Sequence, residues 1–221
     1  MVVGTPRRPI SLRFAGLLAL VILALGLVAC GGDSDSGAGQ EEQTAEKVEK
    51  SFLTGMVHHH ETAIEMAEIA QERTQDPFIT KLASTIVTTQ EREVGQMRSI
   101  HMRLFDSELK PDPGGHDGLG LTAAEAGMTH DKETNAELEA AAVFDRAFVD
   151  EMVPHHLGAI KMAKVVLKDT KDPALRNLAE TIIRTQQSEV DRMNAFRKRK
   201  YGAPVPATLD GGTDDGEHDA H

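Results

Sequence analysis

The 221-residue sequence predicts an all-α protein, a four-helix bundle made of two repeated helical hairpins with a long crossover connection. Three observations lead there. Residues 52–97 align without a gap on residues 148–193, so one supersecondary unit occurs twice and each copy needs its twin to bury an apolar face. Apolar residues recur at three- and four-residue steps in both copies. Aromatics make up 4% of the chain and Trp is absent, which leaves a core of Leu, Ile, Val, Met and Ala.

The elements follow in order. Phe52, Met56, His59, Ala63, Ala67 and Ala70 form one stripe, and Leu82, Ile86, Glu93, Met97 and Ile100 form the next; residues 148–166 and 178–193 repeat both. Asp76-Pro77 and Asp172-Pro173 divide the copies, with Asp suited to cap the incoming helix and Pro to its first position. The spacing predicts helices near 44–74, 77–105, 133–170 and 173–201. Residues 110–121 read as a Gly- and Pro-rich loop, and Thr122 with Glu125 is a capping-box pattern that opens a short helix. No strand pattern occurs. Gly118-Leu119-Gly120 follows no strand, which excludes a dinucleotide loop.

The ends read differently. Arg7, Arg8 and Arg13 precede an apolar run over residues 14–29, so 1–29 has the form of a lipoprotein signal peptide. Leu27-Val28-Ala29-Cys30 is similar to a bacterial lipobox. Cys30, the only cysteine, is therefore the expected lipidation site, and it would anchor an exported chain to the outer (or periplasmic) face of a membrane. Residues 30–43 read as a flexible tether, 44–201 as the bundle (repeats at about 44–105 and 133–201), and 202–221 as an acidic, His-containing disordered tail. The formal net charge of −11 becomes more negative once the leader is removed, which argues against a nucleic-acid partner.

The repeated polar residues could carry chemistry. His59 and Glu93 are equidistant from Asp76, and His155 and Glu189 from Asp172, so histidine is expected to face glutamate across each hairpin. Met56 with Met97, and Met152 with Met193, face each other about one helical turn further from the hairpin turn. If the hairpins dock at equal height, one interior holds both layers. Glu93 and Glu189 interrupt apolar stripes and need partners there, either His59 and His155 in a polar network or a metal that both residue types bind. The Met stripe can be compliant core or a thioether set; mixed Met and His favours copper, with zinc and iron open as alternatives. Met66 and Met162 read as core. His101, His116 and His130 stand singly, and His218 and His221 lie in the acidic tail.

Spacing weakens the enzyme readings. His60-Glu61-Thr62-Ala63-Ile64 lacks the second histidine of a zinc-protease helix, and the Glu-x-x-His pairs of di-iron bundles are missing. No Cys-x-x-Cys-His haem attachment occurs, though a noncovalent haem between His and Met stays open.

Phe52-x-x-x-Met56-x-x-His59-His60-x-x-Ala63-Ile64-x-Met66-Ala67, with Phe148-x-x-x-Met152-x-x-His155-His156-x-Gly158-Ala159-Ile160-x-Met162-Ala163, resembles the domain of unknown function 305 family. The resemblance covers roughly residues 48–201. It implies a secreted or lipid-anchored bacterial protein with a ferritin-like bundle, and some members are described as copper-binding proteins that use Met and His. The first copy departs from the second in His58, Glu61 and Gly55, where the second has Pro154, Leu157 and Glu151.

The expectation is thus an extracytoplasmic lipoprotein that binds copper for sequestration or transfer and is not an enzyme. Its expected ligands are His59, His60, His155, His156, Met56, Met97, Met152 and Met193, with Glu93 and Glu189 as ligands or orienting groups. A homo-oligomer is compatible with this. The first alternative is a structural or interaction bundle with a buried His/Glu network and no metal; the second is a metal- or haem-dependent redox enzyme.

Overall fold

The computed structural model describes residues 36–130 and 132–205. The leader, Cys30 and the tail from residue 206, including His218 and His221, lie outside the described residues. Among those described there are five α-helices and no strand: α1 (Ser36–Arg73), α2 (Pro77–Phe105), α3 (Lys132–Ala140), α4 (Phe144–Asp169) and α5 (Pro173–Tyr201), with a 3-10 turn at Asp117–Leu119. None of these helices is long and apolar enough to cross a membrane.

Both hairpin turns use the expected caps. Asp76 accepts from the Phe78 N–H at 2.9 Å and Asp172 from the Leu175 N–H at 2.8 Å, each followed by Pro at the first helical position. The turns are also tied across the repeat. Thr74 donates to Asp145 at 2.6 Å, and its counterpart Thr170 donates to Glu49 at 2.5 Å. Arg103 pairs with Asp172 at 2.8 Å, and Lys200 reaches Asp76 and Asp145 at 2.9 and 2.8 Å. The turn of each hairpin therefore sits at the open end of the other. The hairpins dock head to tail, not at equal height, and relate by a pseudo-twofold axis across the bundle.

Four segments differ from expectation. Helix α1 starts at Ser36, so residues 36–43 of the expected tether are helical; Gln40, Glu41, Glu42 and Gln43 favour helix there, although Gly37 and Gly39 do not. The single helix expected over 133–170 breaks at residues 141–143 into α3 and α4. Local propensity would continue it, but α3 turns aside to pack on α1 and α4 and to bury Leu138 in the core. Thr122 and Glu125 do form the reciprocal capping bonds, at 3.2 and 3.0 Å, but close only a turn. At the other end, residues 203–205 of the expected tail are fastened, with Arg197 donating to the Ala203 and Pro204 carbonyls and Asn194 accepting from Val205.

The core divides into two apolar clusters. One holds Phe52, Met56 and Met97 of the first hairpin with Met162, Leu175 and Ile182 of the second; the other holds Met66, Leu82 and Ile86 with Phe148, Met152 and Met193. His59, His60, His155 and His156, with Glu93 and Glu189, are buried as well.

Candidate metal centre

Helix α1 presents Met56 and His60 on one face, four residues apart, and α2 presents Glu93 and Met97 in the same way. In the structure His60 Nε2 donates to Glu93 at 2.8 Å, and His156 Nε2 donates to Glu189 at 2.9 Å. The expected pairing of His59 with Glu93, and of His155 with Glu189, is therefore displaced by one residue. The reason lies in the turn: the chain reverses between Asp and Pro instead of on Asp, and the His60/Glu93 and Met56/Met97 pairs share that midpoint. His59 is rotated by about 100° from that face. It points at the other hairpin, where its Nε2 donates to the His155 carbonyl at 3.1 Å and its ring lies 3.7 Å from the His155 ring.

The four histidines thus gather at the centre of the bundle. His59, His60, His155 and His156 are at most 3% exposed, and Met56, Met97, Met152 and Met193 are fully buried. The methionines do not form one layer with each other. Because the hairpins are antiparallel, Met56 and Met97 lie toward one end of the bundle and Met152 and Met193 toward the other, with the His/Glu layer between. Each pair gains a third methionine from the opposite repeat, Met162 beside Met56 and Met97, and Met66 beside Met152 and Met193.

Hydrogen bonding decides which nitrogen is available. A carbonyl or carboxylate accepts only, so His59, His60 and His156 carry a proton on Nε2, and in the neutral ring the Nδ1 lone pair is bare. Nδ1 of all four histidines is buried without a partner among the described residues, as is Oε1 of Glu93. Burial, reinforced by repulsion between the clustered histidines, lowers the pKa of His59 and His155 well below the usual histidine range. Both are neutral at physiological pH and able to accept a cation.

Two residues had no role in the sequence reading. Gln90 and Gln186, equivalent positions one turn from Glu93 and Glu189, are 2% exposed, and none of their amide atoms has a partner among the described residues. Their recurrence inside apolar stripes was the available signal. The isolated histidines are structural ties: His101 donates to the Ser107 carbonyl, His116 to the Leu121 carbonyl, and His130 bonds Asn135.

The donors suit a soft cation in kind, with thioethers flanking bare imidazole nitrogens. They are not drawn together as a finished chelate: among the described residues no three His, Cys, Asp or Glu side chains converge as a metal-binding group.

The chain is similar to several known proteins. An uncharacterised protein of Acanthamoeba polyphaga mimivirus, L153, is 42% identical over 56 residues, which cover 25% of this chain and 37% of that relative, so the chain spans little more than a third of its length. The structure resembles CopM in its Cu(I)-bound form, at 31% identity and a TM-score of 0.59 over 70% of this chain and 98% of that one. CopM structures in Cu(II)-bound, Ag-bound and apo forms resemble it as well. A DUF305 protein from Streptomyces coelicolor, at 22% identity and a TM-score of 0.65 over 73% of this chain and 98% of that one, shares the fold. The model of a domain of unknown function, DUF305, matches residues 49–197, and the chain belongs to that family.

Proposed function

We propose that this protein binds copper outside the cytoplasm, through buried methionine and histidine side chains, and sequesters it or hands it on. The observation that carries the reading is the set of buried imidazoles whose Nε2 is committed to a hydrogen bond and whose Nδ1 is bare, flanked by fully buried thioethers. Copper would be held by His59, His60, His155 and His156 together with Met56, Met97, Met152 and Met193. Glu93 and Glu189 act as orienting groups, since each holds a histidine by Nε2 and leaves Nδ1 to the ion. CopM, about 30% identical, gives the choice of copper its outside support. The lipobox-like segment ending at Cys30 supports export and a lipid anchor. The role proposed is binding of the ion.

A second reading has its own observation. His60 and His156 already have carboxylate partners, and among the described residues no three His, Cys, Asp or Glu side chains converge, which fits a polar network that only fixes hairpin pairing. Metal content separates the two. The purified protein is loaded with Cu(I) anaerobically, or with Cu(II) or Zn(II), then desalted and analysed by mass spectrometry. Retained copper that is lost when His59 and His155 are replaced supports the copper reading. No retained metal in any sample overturns it.

A further inference from the structure

We infer that the ion reaches and leaves the buried centre through one cleft between α2 and α5, floored by Glu93. The inference rests on the copper reading. The cleft has a volume of about 510 Å³, and its walls carry Arg92 together with the neutral polar residues Gln96, Ser99, Asn177 and Thr181. Glu93 lines it while only 1% exposed, so the residue whose carboxylate holds His60 lies at the inner edge of the cleft.

The pseudo-twofold axis generates a second seam, and there the repeats have diverged. Ala174 and Ile100 line the cleft; their counterparts Phe78 and Phe196 stack at 4.9 Å between ring centroids, 15° from parallel. Gln96 lines the cleft; its counterpart Arg192 sits over Phe78 at 5.6 Å. A stacked aromatic pair capped by a guanidinium closes the position that small and aliphatic side chains leave open. Glu189, 7% exposed, offers the competing route along its own edge.

Gly95 provides the means to separate the two. It lines the cleft, and a Cβ added there meets nothing within 4 Å, so a larger side chain would occupy the passage without entering the core. The experiment follows, by anaerobic stopped flow, Cu(I) transfer from a chromogenic chelator to the full-length protein and back. Gly95→Leu is expected to slow uptake and release together, severalfold, with Kd unchanged and the melting temperature of the metal-free protein equal or higher. Phe78→Ala, which opens the second seam, is expected to speed both. Unchanged rates in Gly95→Leu with intact binding would overturn the cleft route and assign entry to the Glu189 edge, and a changed Kd would overturn it by placing Gly95 in the binding shell. Failure of the wild-type protein to bind Cu(I) at equilibrium would instead overturn the copper reading, and the route with it.

Discussion

His59 donates from Nε2 to the backbone carbonyl of His155, its own counterpart in the second repeat, and the two rings lie 3.7 Å apart at the pseudo-twofold axis. The contact fastens the two hairpins at their centre and holds two imidazoles where water cannot stabilise their charge.

That placement predicts a pH dependence of the metal-free protein. Burial, then repulsion between histidines, lowers the folded pKa of His59 and His155 well below 6.5, while the unfolded chain titrates near 6.5. The unfolded state therefore binds more protons in that window. Stability is fully present above about pH 6.5 and falls as pH drops toward the folded pKa, by up to about 1.4 kcal/mol per pH unit for each histidine. Urea unfolding between pH 7.5 and 5 should show the decline, and replacing both residues with Leu should flatten it. An unchanged slope in that variant would show that other groups set the pH response.

The carboxylates give a second prediction. Glu93→Gln and Glu189→Gln keep an acceptor for Nε2 of His60 and His156 but remove the charge that makes Nδ1 a stronger donor to a metal. Loss of such an orienting group typically lowers metal affinity about 10- to 100-fold. Chelator competition should show a fall of that order in each variant while the far-UV spectrum stays helical. Complete loss of binding from either single change would indicate direct ligation by the carboxylate.

Much of this was legible beforehand, for identifiable reasons. The offset repeat, the Asp-Pro caps and the three- and four-residue spacing specify two hairpins, and the repeated His, Glu and Met residues do reach the interior. The exact partner of each histidine was not legible, because moving the turn midpoint by half a residue exchanges His59 for His60. The steps from Met56 to His60 and from Glu93 to Met97 contained that answer, since residues four apart share a helix face. Head-to-tail docking was not legible either. It depends on long-range pairs such as Thr74 with Asp145 and Thr170 with Glu49, which no local pattern encodes. The break before Phe144 is a case of tertiary packing overriding propensity.

The methionines can be tested apart from the histidines. Met→Leu nearly conserves volume, so each change at Met56, Met97, Met152 or Met193 should cost less than about 1.5 kcal/mol of stability. Thioether suits Cu(I) more than Cu(II), so the quadruple variant should lose Cu(I) affinity far more than Cu(II) affinity. Extending the change to Met66 and Met162, which share the two clusters, should weaken Cu(I) further if they are ligands and leave it unchanged if they only fill the core. Equal loss for both oxidation states would assign the methionines a structural role.

The crossover loop yields the last prediction. It docks by backbone contact on both hairpins: a Cβ on Gly115 would lie 2.5 Å from Gly55 Cα, and one on Gly158 only 2.2 Å from the Ala126 carbonyl carbon. Gly127, at φ +65°, would meet the His155 carbonyl at 2.8 Å. The loop thus covers α4 at the turn that carries His155, through glycines with no counterpart in the first repeat, where Thr62 stands opposite Gly158. Gly158→Ala must push backbone from backbone, and it should destabilise the fold by about 1–3 kcal/mol, the range of overpacking. Gly95→Ala, at a helical position whose surroundings are open, should instead stabilise by about 0.5–1 kcal/mol. Urea unfolding of the two variants at neutral pH should give opposite signs; equal effects would mean that the loop does not rest on α4 at Gly158.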